Sequence, residues 1–348
     1  MTLSRREFIT RSTLSAAAVL TAGSLAGCAT ADTRATASSP SAANDQPKRT
    51  FSSAGNTDDS ASGGLPTVYF TPDISPAGLA AIFEAIGRTP HGNVGVKVST
   101  GEAGGHNYLK PELIGELVQS INGTILECNT AYGGSRSNTE AHLQVAAEHG
   151  FTNIADVDIM DSEGDVPLPV EGGTHLSEDY VGASFPNYDF VVNLAHFKGH
   201  AMGGFGGVIK NASIGIASSR GKSWIHTAGT QMSGWSAPSQ DAFLESMAEA
   251  AKAVSDHLGE NVVYIDVMNN LSVDCDCDSH PADPEMADIG ILGSTDPVAL
   301  DQACVDLVYA AEDSDALVER IESRNGLHTL EYGETIGLGS RQHNLVEI

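Results

Sequence analysis

The densest reactive side chains in this 348-residue chain lie in two short runs. His196-Phe197-Lys198-Gly199-His200 sets two imidazoles four residues apart with an ammonium between them. On a helix that spacing shares a face, and in extended chain the even spacing does the same. Either geometry offers two nitrogen donors to a metal. Cys275-Asp276-Cys277 followed by His280 adds two thiols and an imidazole within a few residues. Soft thiolates select zinc, copper(I) or iron–sulfur chemistry over magnesium or calcium. The metal-ligand set read from these runs is His196, His200, Cys275, Cys277 and His280, with zinc or iron as the expected ion. No Cys-x-x-Cys occurs in the sequence, which speaks against a ferredoxin-type iron–sulfur cluster. The competing readings are a pair of hydrogen-bonded histidines and a reduced acidic loop.

Cations are scarce, with 18 basic against 45 acidic residues and a net charge of −27. Four of them, Lys97, Arg136, Lys198 and Lys210, follow or sit in apolar runs; gathered together they would bind a carboxylate or phosphate. Lys198, Lys210 and Arg136 are expected to orient or polarise an anionic substrate, with Glu102 in proton transfer. The run Gly203-Gly204-Phe205-Gly206-Gly207 lacks the Gly-Lys-Ser/Thr of a phosphate loop, so its glycines are expected to let backbone approach a ligand. Lys97, Gly204, Gly206 and Asn211 are the expected cofactor-binding residues. His142 and His149 lie seven apart on one expected helix, and His149 before Gly150 reads as a cation at a helix C-terminus.

The elements that must position these groups are short apolar strands alternating with helices. Strands are expected at 94–98, 124–128, 189–194, 262–267 and 289–292, several apolar throughout as befits strands covered on both faces. Helices are expected at 76–87, 111–120, 139–149, 240–258, 297–309 and 315–324. Asn138 and Asp296 serve as caps, and Pro297 stands at a first helical position. The fold class is α/β, a mostly parallel central sheet with helices on both faces. Residues 211–240, polar and rich in Gly and Ser, are expected to form a long loop near the site. Ligands in such sheets bind beyond the carboxyl ends of the strands, where the His, Cys, Lys and Arg runs fall.

The N-terminus carries a different message. Ser4-Arg5-Arg6-Glu7-Phe8-Ile9 has the form of a twin-arginine export signal, followed by an apolar stretch too short to span a bilayer. Leu25-Ala26-Gly27-Cys28 has the form of a lipobox, so residues 1–27 are expected to be removed and Cys28 to carry lipid. Residues 28–64, with almost no large apolar side chain, read as a flexible tether, and 65–348 as the folded domain. This places the protein outside the cytoplasmic membrane, lipid-anchored. The acidic balance argues against nucleic acid as a partner. Four cysteines remain beyond Cys28; Cys275 and Cys277 are too close-set for an unstrained bridge, so free or metal-bound thiols are expected over disulfides.

From Val94 to the C-terminus the chain resembles the DUF362 family, a domain of uncharacterised function. The resemblance rests on Val96-Lys97 with Gly101-Glu102, Asn129 to Tyr132 with Arg136, and His142 with Glu148-His149-Gly150. It continues through His196–His200, Gly204–Asn211, Gly221-Lys222 with His226, Cys275–Cys277, Asp288-Ile289-Gly290 and Ser294–Asp301. It implies a redox or metal-linked role, often associated with an iron–sulfur unit, but 226–240 here holds no cysteine cluster. The function expected is an exported, lipid-anchored metal-binding protein, redox-linked, whose partners are a small anion or metal, the membrane through Cys28, and a redox protein. The alternatives are a non-catalytic lipoprotein that binds a small anion or metal, and a docking subunit of a membrane redox complex.

Overall fold

Capped helices alternate with short β-branched runs along the part of the chain that the computed structural model describes, residues 64–348. The expected leader, Cys28 and the tether up to residue 63 lie outside it. The chain opens with β1 (Thr67–Thr71), α1 (Pro76–Ile86), β2 (Val94–Lys97), α2 (Pro111–Ser120), β3 (Thr124–Glu127), α3 (Thr139–Glu148) and β4 (Val157–Ile159). A hairpin of β5 (Asp165–Pro169) and β6 (Glu178–Gly182) precedes β7 (Phe190–His196), β8 (Lys198–His200) and β9 (Gly204–Gly206). Then come α4 (Val208–Ala212), α5 (Ser219–His226), α6 (Gln240–Leu258), β10 (Val262–Met268) and β11 (Gly290–Ser294). The chain closes with α7 (Pro297–Ala310), α8 (Asp315–Ser323), α9 (His328–Thr335) and β12 (Asn344–Glu347).

Eight strands form one sheet in the order β12-β1-β11-β10-β7-β2-β3-β4. All neighbours pair in parallel except where β11 meets β1 and β10. From β2 the chain first builds outward through β3 and β4, then returns to place β7 on the other side of β2. That reversal puts a topological switch point at the carboxyl ends of β2 and β7, the usual place for a ligand in such sheets.

Residue alternation along the strands divides the core in two. Leu126, Val191, Tyr264 and Leu292 face a cluster completed by Leu244 and Val254 of α6 and Val298 and Ala303 of α7. Ile125, Val192, Val263, Ile265 and Ile291 face the other cluster, with Leu79 and Ile82 of α1 and Ile114 and Val118 of α2. Helices therefore cover both faces. Ser75, Asn138, Ser239 and Asp296 cap their helices by accepting a backbone N–H three residues on, which fixes where those helices begin.

The stretch read as one long loop is interrupted by helix, while residues 227–239 are turns and irregular chain as expected. α4 covers its start, and α5, capped by Ser218, covers 219–226. α5 packs so closely on β6 that a Cβ at Gly221 would lie 2.1 Å from the Tyr180 carbonyl oxygen. Its Gly and Ser residues serve helix–sheet contact. No helix of the described residues is long and apolar enough to cross a membrane.

Candidate metal and anion site

Beyond the carboxyl end of β7 the chain turns into the short β8–β9 hairpin, and beyond β10 it runs into the Cys275 loop. Gly199 brings the two together. Its N–H donates to the Ser272 carbonyl at 2.8 Å, and a Cβ there would fall 2.3 Å from the Val273 carbonyl oxygen. Only glycine tolerates that approach, and the next residue is His200. The Cys loop is held from three sides. Asp278 N–H donates to the Cys275 carbonyl at 2.8 Å, Glu102 N–H to the Asp276 carbonyl at 2.8 Å, and Arg320 of α8 to the Val273 carbonyl at 2.5 Å.

His200, Cys275 and Cys277 thereby offer three donor atoms within 4.8 Å of one another. Two are buried and Cys277 is half-buried. Burial, with Lys210 next, holds the His200 imidazole well below its ordinary pKa, so the ring is neutral as metal ligation requires. Its Nδ1 accepts the Gly203 N–H at 2.8 Å, the one hydrogen bond that a metal taking this nitrogen would replace. The thiols act as a pair. Cys275 is lowered well below the ordinary thiol value by a hydrogen bond from Cys277 and by the Lys210 ammonium, whose Nζ lies 3.3 Å from Sγ. The pair therefore gives up one proton easily and holds the second. Lys210 in turn is raised by that sulfur despite burial.

His196 and His280, expected among the ligands, stand outside this group. His196 Nδ1 lies 2.9 Å from an oxygen of Asp276 and Nε2 lies 2.6 Å from the Asn269 carbonyl, so both ring nitrogens are occupied. His280 is exposed, with Nδ1 2.9 Å from the Ser279 hydroxyl. The other oxygen of Asp276 lies 2.9 Å from Lys198 Nζ. Burial would raise Asp276, but Lys198 and His196 outweigh it and hold the carboxylate well below its usual range.

A second polar network fills the ends of β2 and β3. Glu127 meets Lys97 Nζ and Arg136 at 3.1 Å each, and accepts the Thr100 N–H at 2.8 Å. Burial pushes Glu127 up, and Lys97, His142 and Arg136 more than reverse this. Asn211 links the network to β7: its side-chain nitrogen donates to the Lys97 carbonyl at 3.0 Å and to Asn193 at 2.6 Å, and its oxygen accepts from Lys97 Nζ at 3.2 Å. Glu102 accepts the Ser135 N–H and Tyr132 hydroxyl, and pairs with Arg136 at 3.5 Å. Burial raises Glu102, but Ser135 and Arg136 bring it below its ordinary value, which makes it a fixed anion. Tyr132 bridges the two networks, its hydroxyl also lying 3.4 Å from the Cys277 carbonyl.

The expected cations thus gather at the strand ends, each already facing a buried anion or sulfur. The glycines of 203–207 serve packing. A Cβ at Gly204 (φ +83°) would lie 3.0 Å from Gly326, and one at Gly206 3.0 Å from the Lys210 stem. Groups that the sequence reading named only for the family resemblance, without a role, complete the floor. Asp301 of α7 accepts the Val208 and Ile209 N–H groups at 2.9 and 3.1 Å and so anchors α4, which carries Lys210 and Asn211. Burial raises Asp301 to about 6, and burial with the neighbouring Asp301 carboxyl raises Asp266 well above its ordinary value. Lys222, also buried, donates to the Ala217 carbonyl at 2.5 Å.

The family model described as a domain of unknown function, DUF362, matches residues 94–306. The chain belongs to the DUF362 family. That span runs from the first residue of β2 into α7 and includes His200, Cys275, Cys277 and both polar networks, leaving out Arg320, which holds the Cys loop from α8. No curated protein matches the sequence. Among solved structures, this DUF362 chain is similar to the lactate racemase apoprotein from Thermoanaerobacterium thermosaccharolyticum, at 15% identity and TM-score 0.39, over 69% of this chain and 56% of that one. It is also similar to a protein from Thermotoga maritima, at 12% identity and TM-score 0.35, over 75% of this chain and 58% of that one. The chain thus spans little more than half the length of either. A likeness of this size says nothing about the chemistry of the site.

Proposed function

We propose that this protein is an exported, lipid-anchored metal-binding protein that holds zinc or iron through His200, Cys275 and Cys277 and receives a small anion beside it. The carrying observation is the convergence of one neutral imidazole and a thiol pair within 4.8 Å. Two sulfurs and a nitrogen match the preferences of zinc and of iron better than those of magnesium or calcium. A bound ion would supply Lewis acidity to an anionic ligand at a remaining coordination position.

The chain's own groups prepare the place. Lys210 offsets the charge on Cys275, and Asp276, fixed by Lys198 and His196, sets the middle of the Cys-x-Cys turn. Arg136, pinned by Glu127, Glu102 and Tyr132, orients the wall toward Cys277. Export rests on the Arg5-Arg6 signal and anchoring on Cys28. Folding before transport would let the metal be chosen in the cytoplasm.

Cobalt(II) tests the ligand set. Titrated anaerobically into the reduced, metal-free chain, it should give sulfur-to-cobalt charge-transfer absorption that weakens in Cys275→Ser and Cys277→Ser and persists in His280→Ala. Absorption independent of both cysteines would overturn the assignment. For the address, replacing Arg5 and Arg6 by Lys should retain the chain in the cytoplasm, and Cys28→Ser should abolish incorporation of labelled lipid.

A further inference from the structure

The turn that presents the two thiols also suits them to react with each other. Asp278 N–H closes on the Cys275 carbonyl at 2.8 Å, so Cys275 and Cys277 stand at the first and third positions of a β-turn. A turn brings such α-carbons closer than extended chain does, toward the separation that a disulfide requires. Their sulfurs lie within 4.8 Å of one another, and among the described residues neither is bridged elsewhere. Cys277 is the half-buried member, open to a small reagent, and Cys275 is the buried member, with Lys210 Nζ 3.3 Å from its sulfur. The other two cysteines of the domain, Cys128 and Cys304, are buried in the core.

We propose that Cys275 and Cys277 form a redox-modification site: in the metal-free chain a small organic disulfide converts them into a reversible intramolecular disulfide that excludes metal. The exclusion rests on the metal-binding reading above; the closure itself does not.

The chemistry balances as two exchanges. Cys277, the more exposed of the two, gives its proton to solvent and attacks one sulfur of the reagent as a thiolate, forming a mixed disulfide and releasing one organic thiolate. Cys275, the thiolate beside Lys210, then attacks the Cys277 sulfur and expels the second. The protein sulfurs lose two electrons, one organic thiolate takes up the proton, and the reagent leaves as one thiol and one thiolate. The small ring strains the product and makes it easy to reduce, which suits a switch better than a staple. Metal on both sulfurs leaves no free thiolate for the first step.

The test uses the full chain, reduced and stripped of metal, with oxidised glutathione as the disulfide. Peptide mapping by mass without reduction should find the peptide holding both cysteines lighter by two hydrogen atoms, and a dithiol reductant should restore it. Cys275→Ser should stop at a glutathione adduct on Cys277, and Cys277→Ser should not react. Two thiols that remain alkylatable, or a stable wild-type adduct, would overturn the proposal. A parallel sample preloaded with zinc separates the two readings. Closure in the metal-free chain with equal closure in the zinc-loaded chain upholds the redox site and defeats the metal reading. Zinc retention without closure in the metal-free chain does the reverse.

Discussion

Glu127 lies between Lys97 and Arg136, and Asp276 between Lys198 and His196, and in both cases the partners outweigh the cost of taking a carboxylate out of water. Asp179 of β6 shows the opposite outcome. It is fully buried, neither carboxyl oxygen has a hydrogen-bond partner among the described residues, and burial raises it to about 7. Its folded value thus lies above the ordinary 3.8, so the stability it allows is present below that value and lost as pH rises toward about 7. Asp179→Asn should therefore gain on the natural chain as pH rises from 5 to 8, by on the order of 1–3 kcal/mol. Thermal unfolding of both proteins at the two pH values checks this, and a difference that stays constant or shrinks would contradict it. Such residues were hard to read in sequence. Glu127 sits at the end of Thr-Ile-Leu-Glu and Asp266 inside Val-Val-Tyr-Ile-Asp-Val-Met, so apolar runs that announced strands also concealed the charges they carry. The signal available was the charge itself, out of place in a buried strand.

At the scale of elements, the site depends on one short helix and one hairpin. α4 has five residues, too few to hold itself, and Asp301 supplies the acceptors for two N–H groups at its start. A Cβ at Gly207 would lie 2.3 Å from an Asp301 oxygen, so the junction is closed to any larger residue. Asp301→Ala strands both donors in the interior and should cost about 2–4 kcal/mol. Urea unfolding measures it, and an unchanged midpoint would refute the anchoring role. The central strands and the six capped or amphipathic helices were legible because burial on both faces and helical spacing leave strong patterns. β4, β8 and β9 were not, since three residues carry no period. The direction of β11 was equally silent, because an apolar run reads the same either way. α5 was missed for a chemical reason: its Gly, Ser, Lys and His resemble a loop, yet Gly221, Lys222, Ser223 and His226 are buried against β6 and the interior.

Over the whole molecule, the sheet reversal between β2 and β7 gathers residues from 97 to 277 into adjoining networks joined through Tyr132. The sequence reading found the strand ends where they gather. It could not tell which histidine would meet the thiols, because that choice is made by Gly199 against Val273, a contact between segments far apart in the chain. The arrangement is mostly self-neutralising, with the thiol pair as its soft, incompletely compensated part. One measurement bears on this most directly: the metal content of the chain matured through its own export route, set beside Cys277→Ser and His200→Ala. The account predicts about one zinc or iron per natural chain and clear loss from both variants with the fold intact by circular dichroism. A natural chain without stoichiometric metal, or variants that keep it in full, would contradict the metal site.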